Sequence, residues 1–301
     1  MEIVNGVWPT AITAFTKDNK IDYPANERLI EWYIENGVDG IFAMCQSSEM
    51  FYLTLEEKID LINFTLKVVN GRVPVIASGH TSFGMKEQIY ELSKIADTGI
   101  SAVVLITNIL ATEEKSEGKF KESVDTLLES LPTDITLGMY ECPQPFKYLV
   151  SPELLKWCSD TGRFGFLKDT CCDIDMIKTR LDSIKGSNMK LFNANAVTLL
   201  DSMKLGASGF SGIMLNLYPK LLSWLAKNIY DERAEKVQAF FDIASMIEYL
   251  NYPYCAKVFL GDIIGIDTKT RRPFDSQFTK TNKKQLKSLD VLYNDIIKGI
   301  F

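Results

Sequence analysis

Eight short apolar runs alternating with longer stretches of helical period predict an α/β chain: a closed (βα)8 barrel carrying a helical C-terminal extension. A recurrent joint supports the barrel. Gly37-Val38-Asp39-Gly40, Gly99-Ile100-Ser101-Ala102, Gly162-Arg163-Phe164 and Gly206-Ala207-Ser208-Gly209 each follow a helical pattern and open an apolar run within a few residues. Glycine accepts the left-handed conformation that ends a helix, so each joint reads as a helix-to-strand turn. Gly37, Gly99 and Gly162 stand 62 and 63 residues apart, close to two βα units per interval. The strand rhythm stops near residue 230, which divides the chain into a barrel over residues 1–229 and a helical unit over 230–301.

The elements follow in order. The run 6–13 precedes a helical pattern over 23–35, and the run 38–45 leads to Thr54-Leu55-Glu56-Glu57, which opens a helix over 55–69. Runs 73–78, 102–107 and 135–140 are followed by helical patterns over 85–97, 118–130 and 152–160. Runs 164–168, 190–193 and 209–213 alternate with helices over 174–184, 197–205 and 219–227. Beyond them 233–250 is helical, Tyr252-Pro253-Tyr254 breaks it, and Thr270-Arg271-Arg272-Pro273-Phe274 is a linker. Leu286, Leu289, Tyr293, Ile296 and Ile300 recur at spacings of 3 and 4, an amphipathic last helix.

Composition narrows the function classes. Hydrophobic residues make up 46% of the 301 positions and charged residues 24%, with a mean hydropathy of zero. That is a globular chain long enough to bury its own core without disulfide or metal staples. The 33 basic side chains are outnumbered by 39 acidic ones, for a net charge of −6. Such a surface repels phosphate backbones and anionic lipid, which excludes nucleic-acid and membrane partners. There is no basic, apolar leader at Met1 and no apolar stretch long enough to span a bilayer. Six cysteines without a leader read as reduced thiols, so a cytoplasmic protein is expected.

In a βα barrel, chemistry gathers at the carboxyl ends of the strands. Those positions hold Gln46, Ser47, Ser48 and Glu49 after run two and His80 after run three. Tyr140 ends run five, Lys168 ends run six, Asn193 ends run seven and Ser211 lies in run eight. Lys168 closes the apolar stretch Phe164-Gly165-Phe166-Leu167, and desolvation of that kind lowers an amine pKa toward nucleophilicity. The same residue also reads as a snorkelling lysine paired with Asp169. Tyr140 is a candidate proton carrier or a rim aromatic, and Ser47 and Ser48 form either a carboxylate-binding loop or an ordinary polar one. Glu49 reads as a structural carboxylate, and His80 as a residue behind the site. Cys45, Cys142, Cys171 and Cys172 approach one barrel mouth, but their spacing matches no zinc signature and no metal is expected.

These residues carry a family resemblance. Gly37-Val38-Asp39-Gly40-Ile41 with its Ser-Ser-Glu loop, Gly71-Arg72-Val73-Pro74-Val75, Tyr140-Glu141-Cys142-Pro143 and Phe166-Leu167-Lys168-Asp169-Thr170 resemble the dihydrodipicolinate synthase and N-acetylneuraminate lyase superfamily. The resemblance runs over nearly the whole chain. It implies a Schiff-base lyase or aldolase in which Lys168 condenses with pyruvate or another 2-oxo acid. Tyr140 would relay protons, Ser47 and Ser48 would hold the carboxylate, and Gln46, Asn193 and Ser211 would complete the substrate site. An aldehyde is the partner substrate, the imine on Lys168 replaces any cofactor, and a homo-oligomer, dimer or tetramer, is implied.

The departures concern the second substrate. Gln46 stands where synthases place a hydroxyl of the proton relay, and Ile109 and Leu110 stand where they place a tyrosine. Pro145 occupies the position of the arginine that grips aspartate semialdehyde, with Lys147 only a loose substitute. Asn193-Ala194-Asn195 replaces the acidic pair of the sialic acid lyases. The alternatives are therefore 4-hydroxy-tetrahydrodipicolinate synthase itself, or a non-catalytic barrel that binds an oxo acid.

Overall fold

The computed structural model describes residues 1–112, 114–274 and 277–301. Its strands are β1 (Gly6–Val7), β2 (Ile41–Met44), β3 (Val75–Ala77), β4 (Ala102–Ile106), β5 (Thr136–Tyr140), β6 (Phe164–Asp169), β7 (Lys190–Asn193) and β8 (Gly209–Phe210). All pair in parallel in the order β1-β8-β7-β6-β5-β4-β3-β2. The sheet curls shut where Phe42 donates its N–H to Pro9 O and accepts from Ala11 N–H, each at 3.0 Å. The expected (βα)8 barrel is what the chain forms.

Strand ends differ from the sequence reading. The run 6–13 keeps only Gly6–Val7 in the ladder plus a bridge from Thr10 to Phe42, because Pro9 has no N–H to contribute. The run 209–213 stops at Phe210, and the chain tightens into a 3-10 turn over Ile213–Asn216. Thr107 leaves β4 to begin the short helix Thr107–Ala111. Glycine is required where β8 meets β1: a Cβ on Gly209 would sit 1.8 Å from Gly6 O.

Side-chain alternation decides what faces the barrel interior. Trp8, Phe42, Phe166 and Phe192 meet there with ring centroids 4.6 to 6.0 Å apart, a dry aromatic floor. Lys168 lies two residues beyond Phe166 and shares its inward direction. Glu141 and Asp169, one residue beyond Tyr140 and Lys168 respectively, point outward, toward the helix Ile174–Ser183. Asp173 caps that helix by accepting from the N–H groups of Asp175 and Met176.

The C-terminal extension holds helices Ala234–Ala244, Tyr254–Ile264 and Lys280–Ile300. The expected helix over 233–250 ends its α-helical part at Ala244 and continues as a 3-10 helix over Ser245–Tyr249. Tyr254–Ile264 was not visible as a helix in the sequence, since Cys255, Ala256, Lys257, Phe259 and Leu260 are all buried and leave no clear period. Phe240, Phe241, Leu260 and Leu286 join one hydrophobic core with the barrel. Among the described residues no helix is long and apolar enough to cross a membrane.

Candidate active site

Lys168 and Tyr140 are register partners across β5 and β6, so the ladder itself sets them side by side. Both are buried at the carboxyl end of the barrel. The Lys168 Nζ lies 4.3 Å from the centroid of the Tyr140 ring and 6.0 Å from that of Phe42. Among the described residues the amine has no ion pair. Burial holds its pKa below the usual lysine value, with the Cys45, Cys142 and Glu248 side chains pulling the other way. Burial also raises the Tyr140 phenol well above 10, so it stays protonated at neutral pH. The phenol donates to Gln46 Oε1 at 3.3 Å.

A cavity of about 290 Å³ opens above these two groups. The loop after β2 contributes Gln46 and Ser47, and the region after β5 contributes Pro143, Gln144 and Lys147. Thr170, Cys172, Asn195 and Gly212 border it from the other strand ends, and Glu248, Tyr252 and Arg272 descend from the extension. This volume suits a small organic acid with a second reactant.

The structure separates the predicted site residues. Lys168, Tyr140, Gln46 and Ser47 line the cavity, and Ser48, Asn193 and Ser211 do not. The Ser48 hydroxyl donates toward Ala11 O and Ala43 O, at 2.8 and 3.0 Å, and accepts from Cys45 N–H, which closes the loop after β2 from behind. Asn193 donates to Thr198 Oγ1 and Ser202 Oγ while its oxygen accepts from Asn195 N–H, so its amide is fully engaged in the β7 turn. Ser211 is buried, and its N–H donates to Asn193 O. Ser47 stays at the cavity, with its hydroxyl donating to Thr10 Oγ1 at 3.1 Å.

Two buried charge networks hold the strand ends. Arg180 bridges Glu141 at 2.6 Å and Asp169, all three fully buried. Glu141 also accepts from the N–H groups of Val150 and Thr170, and Asp169 from that of Cys171. Burial raises the Glu141 pKa against the pull of Arg180. On the other side Glu49 pairs with Lys257 at 2.7 Å and accepts from the N–H groups of Arg271 and Arg272. Glu49 thereby straps the extension across the loop after β2 and brings Arg272 to the cavity.

His80 lies outside the cavity and is fully buried. Its Nδ1 accepts from Ile106 N–H at 3.0 Å, so Nε2 carries the proton and donates to Gln88 Oε1 at 2.9 Å. Among the cysteines, Cys45 and Cys142 are buried and Cys172 is exposed at the cavity edge. Burial pushes the Cys142 thiol up to about 11. Among the described residues no three His, Cys, Asp or Glu side chains are grouped to hold a metal.

Comparison with known proteins settles the lineage. The description "Dihydrodipicolinate synthetase family" matches residues 3–290. The chain belongs to the dihydrodipicolinate synthetase family. A 4-hydroxy-tetrahydrodipicolinate synthase of Thermodesulfovibrio yellowstonii is 28% identical over 284 residues, covering 92% of this chain and 94% of that protein. One from Clostridium perfringens is 27% identical over 209 residues, 69% of each chain. Among solved structures, the family's prophage protein YagE from E. coli K12, in complex with pyruvate, superposes with a TM-score of 0.83 at 22% identity, over 95% of this chain and 97% of that one. The synthase of Methylacidiphilum fumariolicum gives a TM-score of 0.86 at 20% identity, over 99% and 98%. At these identities the superpositions establish the family fold.

The family member described here also holds residues that strand-end reasoning missed. Glu248, Tyr252 and Arg272 lie far beyond the last barrel strand in sequence, and no local pattern marks them as cavity residues. The Tyr252-Pro253 break and the linker over 270–274 were the visible signals, and they pointed to a helix end and a connection.

Proposed function

We propose that this protein is a class I lyase or aldolase that forms an imine between Lys168 and pyruvate or a related 2-oxo acid, making or cleaving a C–C bond to an aldehyde. The observation that carries this reading is the Lys168 amine: buried, in no direct ion pair among the described residues, and facing a cavity open to a small acid. An amine held below its usual pKa attacks a ketone readily, and the protonated imine then draws electrons from the adjacent carbon. Tyr140, neutral and register-paired with Lys168, moves protons at the carbinolamine. Ser47 and the N–H groups of Gln46 and Ser47 hold the carboxylate of the oxo acid. No metal or organic cofactor is required by this chemistry. A homo-oligomer acting in the cytoplasm completes the proposal.

Incubation with pyruvate and borohydride tests it. The reduced adduct is expected on the peptide that contains Lys168, and Lys168→Ala is expected to abolish it. A protein left unmodified by pyruvate and by several longer 2-oxo acids refutes the imine.

A second reading, 4-hydroxy-tetrahydrodipicolinate synthase, is favoured by Lys147 and Arg272, two cations that border the cavity and could face the carboxylate of aspartate semialdehyde. Against it stand Pro145 and Gln46, which supply neither the expected guanidinium nor the relay hydroxyl. A coupled assay with pyruvate and aspartate semialdehyde discriminates. A kcat/KM above about 10⁴ M⁻¹s⁻¹, ordinary for an enzyme on its own substrate, selects the synthase.

A further inference from the structure

We propose that Glu248, a carboxylate brought into the cavity by the C-terminal extension, is the acid–base group that moves the C3 proton of the Lys168-bound 2-oxo acid and the oxygen proton of the aldehyde. This rests on the imine chemistry proposed above and adds a catalytic residue to it.

Three observations converge on Glu248. It lines the same cavity as Lys168 and is the one carboxylate among the described residues that do so. Its Oε1 is buried without a hydrogen-bond partner among the described residues, an arrangement that is costly unless another molecule supplies the partner. It is carried by the 3-10 helix Ser245–Tyr249, which packs against the turn Ile213–Asn216 after β8, so the barrel itself fixes its position over the site. Burial raises its pKa to about 7, against the pull of the nearby Lys168 ammonium. A base near neutrality is well matched to proton abstraction next to an iminium.

The alternative route for the proton is closed. The Tyr140 phenol donates to Gln46 Oε1, and an amide oxygen has no proton to hand on. Ile109 and Leu110, buried in the short helix after β4, carry no hydroxyl to extend the route. The chain of proton carriers through Tyr140 therefore ends at Gln46 and the Cys142 thiol, which burial holds protonated with a pKa pushed up to about 11.

The steps balance. The Lys168 amine adds to the C2 carbonyl, one proton is taken from solvent, water leaves, and a protonated imine remains. The Glu248 carboxylate removes a C3 proton; that C–H electron pair forms the C2–C3 double bond, and the C=N π pair moves to nitrogen. The neutral enamine attacks the aldehyde carbon. As the C–C bond forms and the iminium returns, the aldehyde oxygen takes the proton from the Glu248 carboxyl. Hydrolysis frees the product, the amine and the borrowed proton, and cleavage runs the same steps in reverse.

The test separates imine formation from proton transfer. Borohydride labelling with pyruvate reads the imine, and NMR-detected exchange of the pyruvate methyl protons in D2O reads the transfer. Glu248→Gln is expected to keep the label within a few fold and to lose about 10²–10⁴-fold in exchange rate, the usual worth of a positioned acid–base group. Glu248→Asp is expected to regain part of it. In the wild type at saturating pyruvate, exchange is expected to rise through about pH 7 as Glu248 ionises, and Glu248→Gln to lack that limb. Among the described residues the other ionisable groups around it are Lys168, Tyr140, Lys147, Cys172, Arg272, Tyr252 and Cys255. A labelled Glu248→Gln protein that exchanges at close to the wild-type rate overturns the inference. A wild-type limb confined to alkaline pH also does so, and needs no variant to fold. If the wild type labels nothing, the imine itself is refuted and the role of Glu248 falls with it.

Discussion

Replacing Arg180 by Met should expose how the fold holds its reactive strand ends. Arg180 neutralises two fully buried carboxylates, Glu141 and Asp169, which directly follow Tyr140 and Lys168 in sequence. Removing one partner of a buried ion pair costs about 3–5 kcal/mol, against a total stability of about 5–15 kcal/mol for a folded domain. Backbone N–H groups still satisfy both carboxylates, two on Glu141 and one on Asp169, which places the loss near the lower figure, about 3 kcal/mol. Part of it is recoverable by protonation. Burial already raises the Glu141 pKa, and losing Arg180 raises it further above the unfolded value of about 4.3. The folded variant then binds more protons than the unfolded chain, so its stability falls as pH rises through that window. Urea denaturation at pH 5.5 and pH 8 should therefore show a larger deficit against the wild type at pH 8. In activity, the displaced strand ends should lower kcat by up to about 10²-fold, the effect of a misplacement on the order of 1 Å. A deficit under about 1 kcal/mol at pH 8, or one equal at both pH values, would show that the network does not hold these strands.

Tyr140→Phe should lower kcat by about 10²–10⁴-fold with little change in KM; a change confined to KM would make Tyr140 a binding residue instead. Thiol alkylation should fall first on Cys172, exposed at the cavity edge, and a saturating 2-oxo acid should slow it; equal rates with and without ligand would place Cys172 clear of the bound acid. Burial lowers the His80 pKa from 6.5 to about 4, so the unfolded chain binds the extra proton between those values. The contribution is complete above pH 6.5 and is lost as pH falls toward 4, on the order of 3 kcal/mol in all. His80→Gln should flatten the acid limb of the stability profile, and an unchanged limb would assign acid lability to other groups.

How far the sequence reached depends on the range over which each feature is encoded. The alternation of apolar runs with helical periods, and the glycine joints between them, are local signals, and they place all eight strands and the barrel. Lys168 and Tyr140 were legible for the same reason: a strand end is a local position, and in a barrel it has a fixed destination. Rank at a strand end did not settle orientation, however. Ser48, Asn193 and Ser211 stand at equivalent places, yet the first two are turned to backbone and neighbouring side-chain partners, and all three lie off the cavity wall. Which polar atoms are already satisfied is decided by atoms brought near only in the folded chain. The sequence offers Asp169 as a partner for Lys168, but in the structure Asp169 turns away and forms a dry ion network with Arg180 and Glu141. The extension shows the limit most clearly. Periodicity finds its last helix, but Glu248, Tyr252 and Arg272 reach the cavity because the Glu49–Lys257 pair and the shared core fold the extension back over the barrel mouth. Contacts across some 200 residues of chain leave no local periodicity to read, so only tertiary packing could bring a carboxylate from the extension above a lysine from the sixth strand.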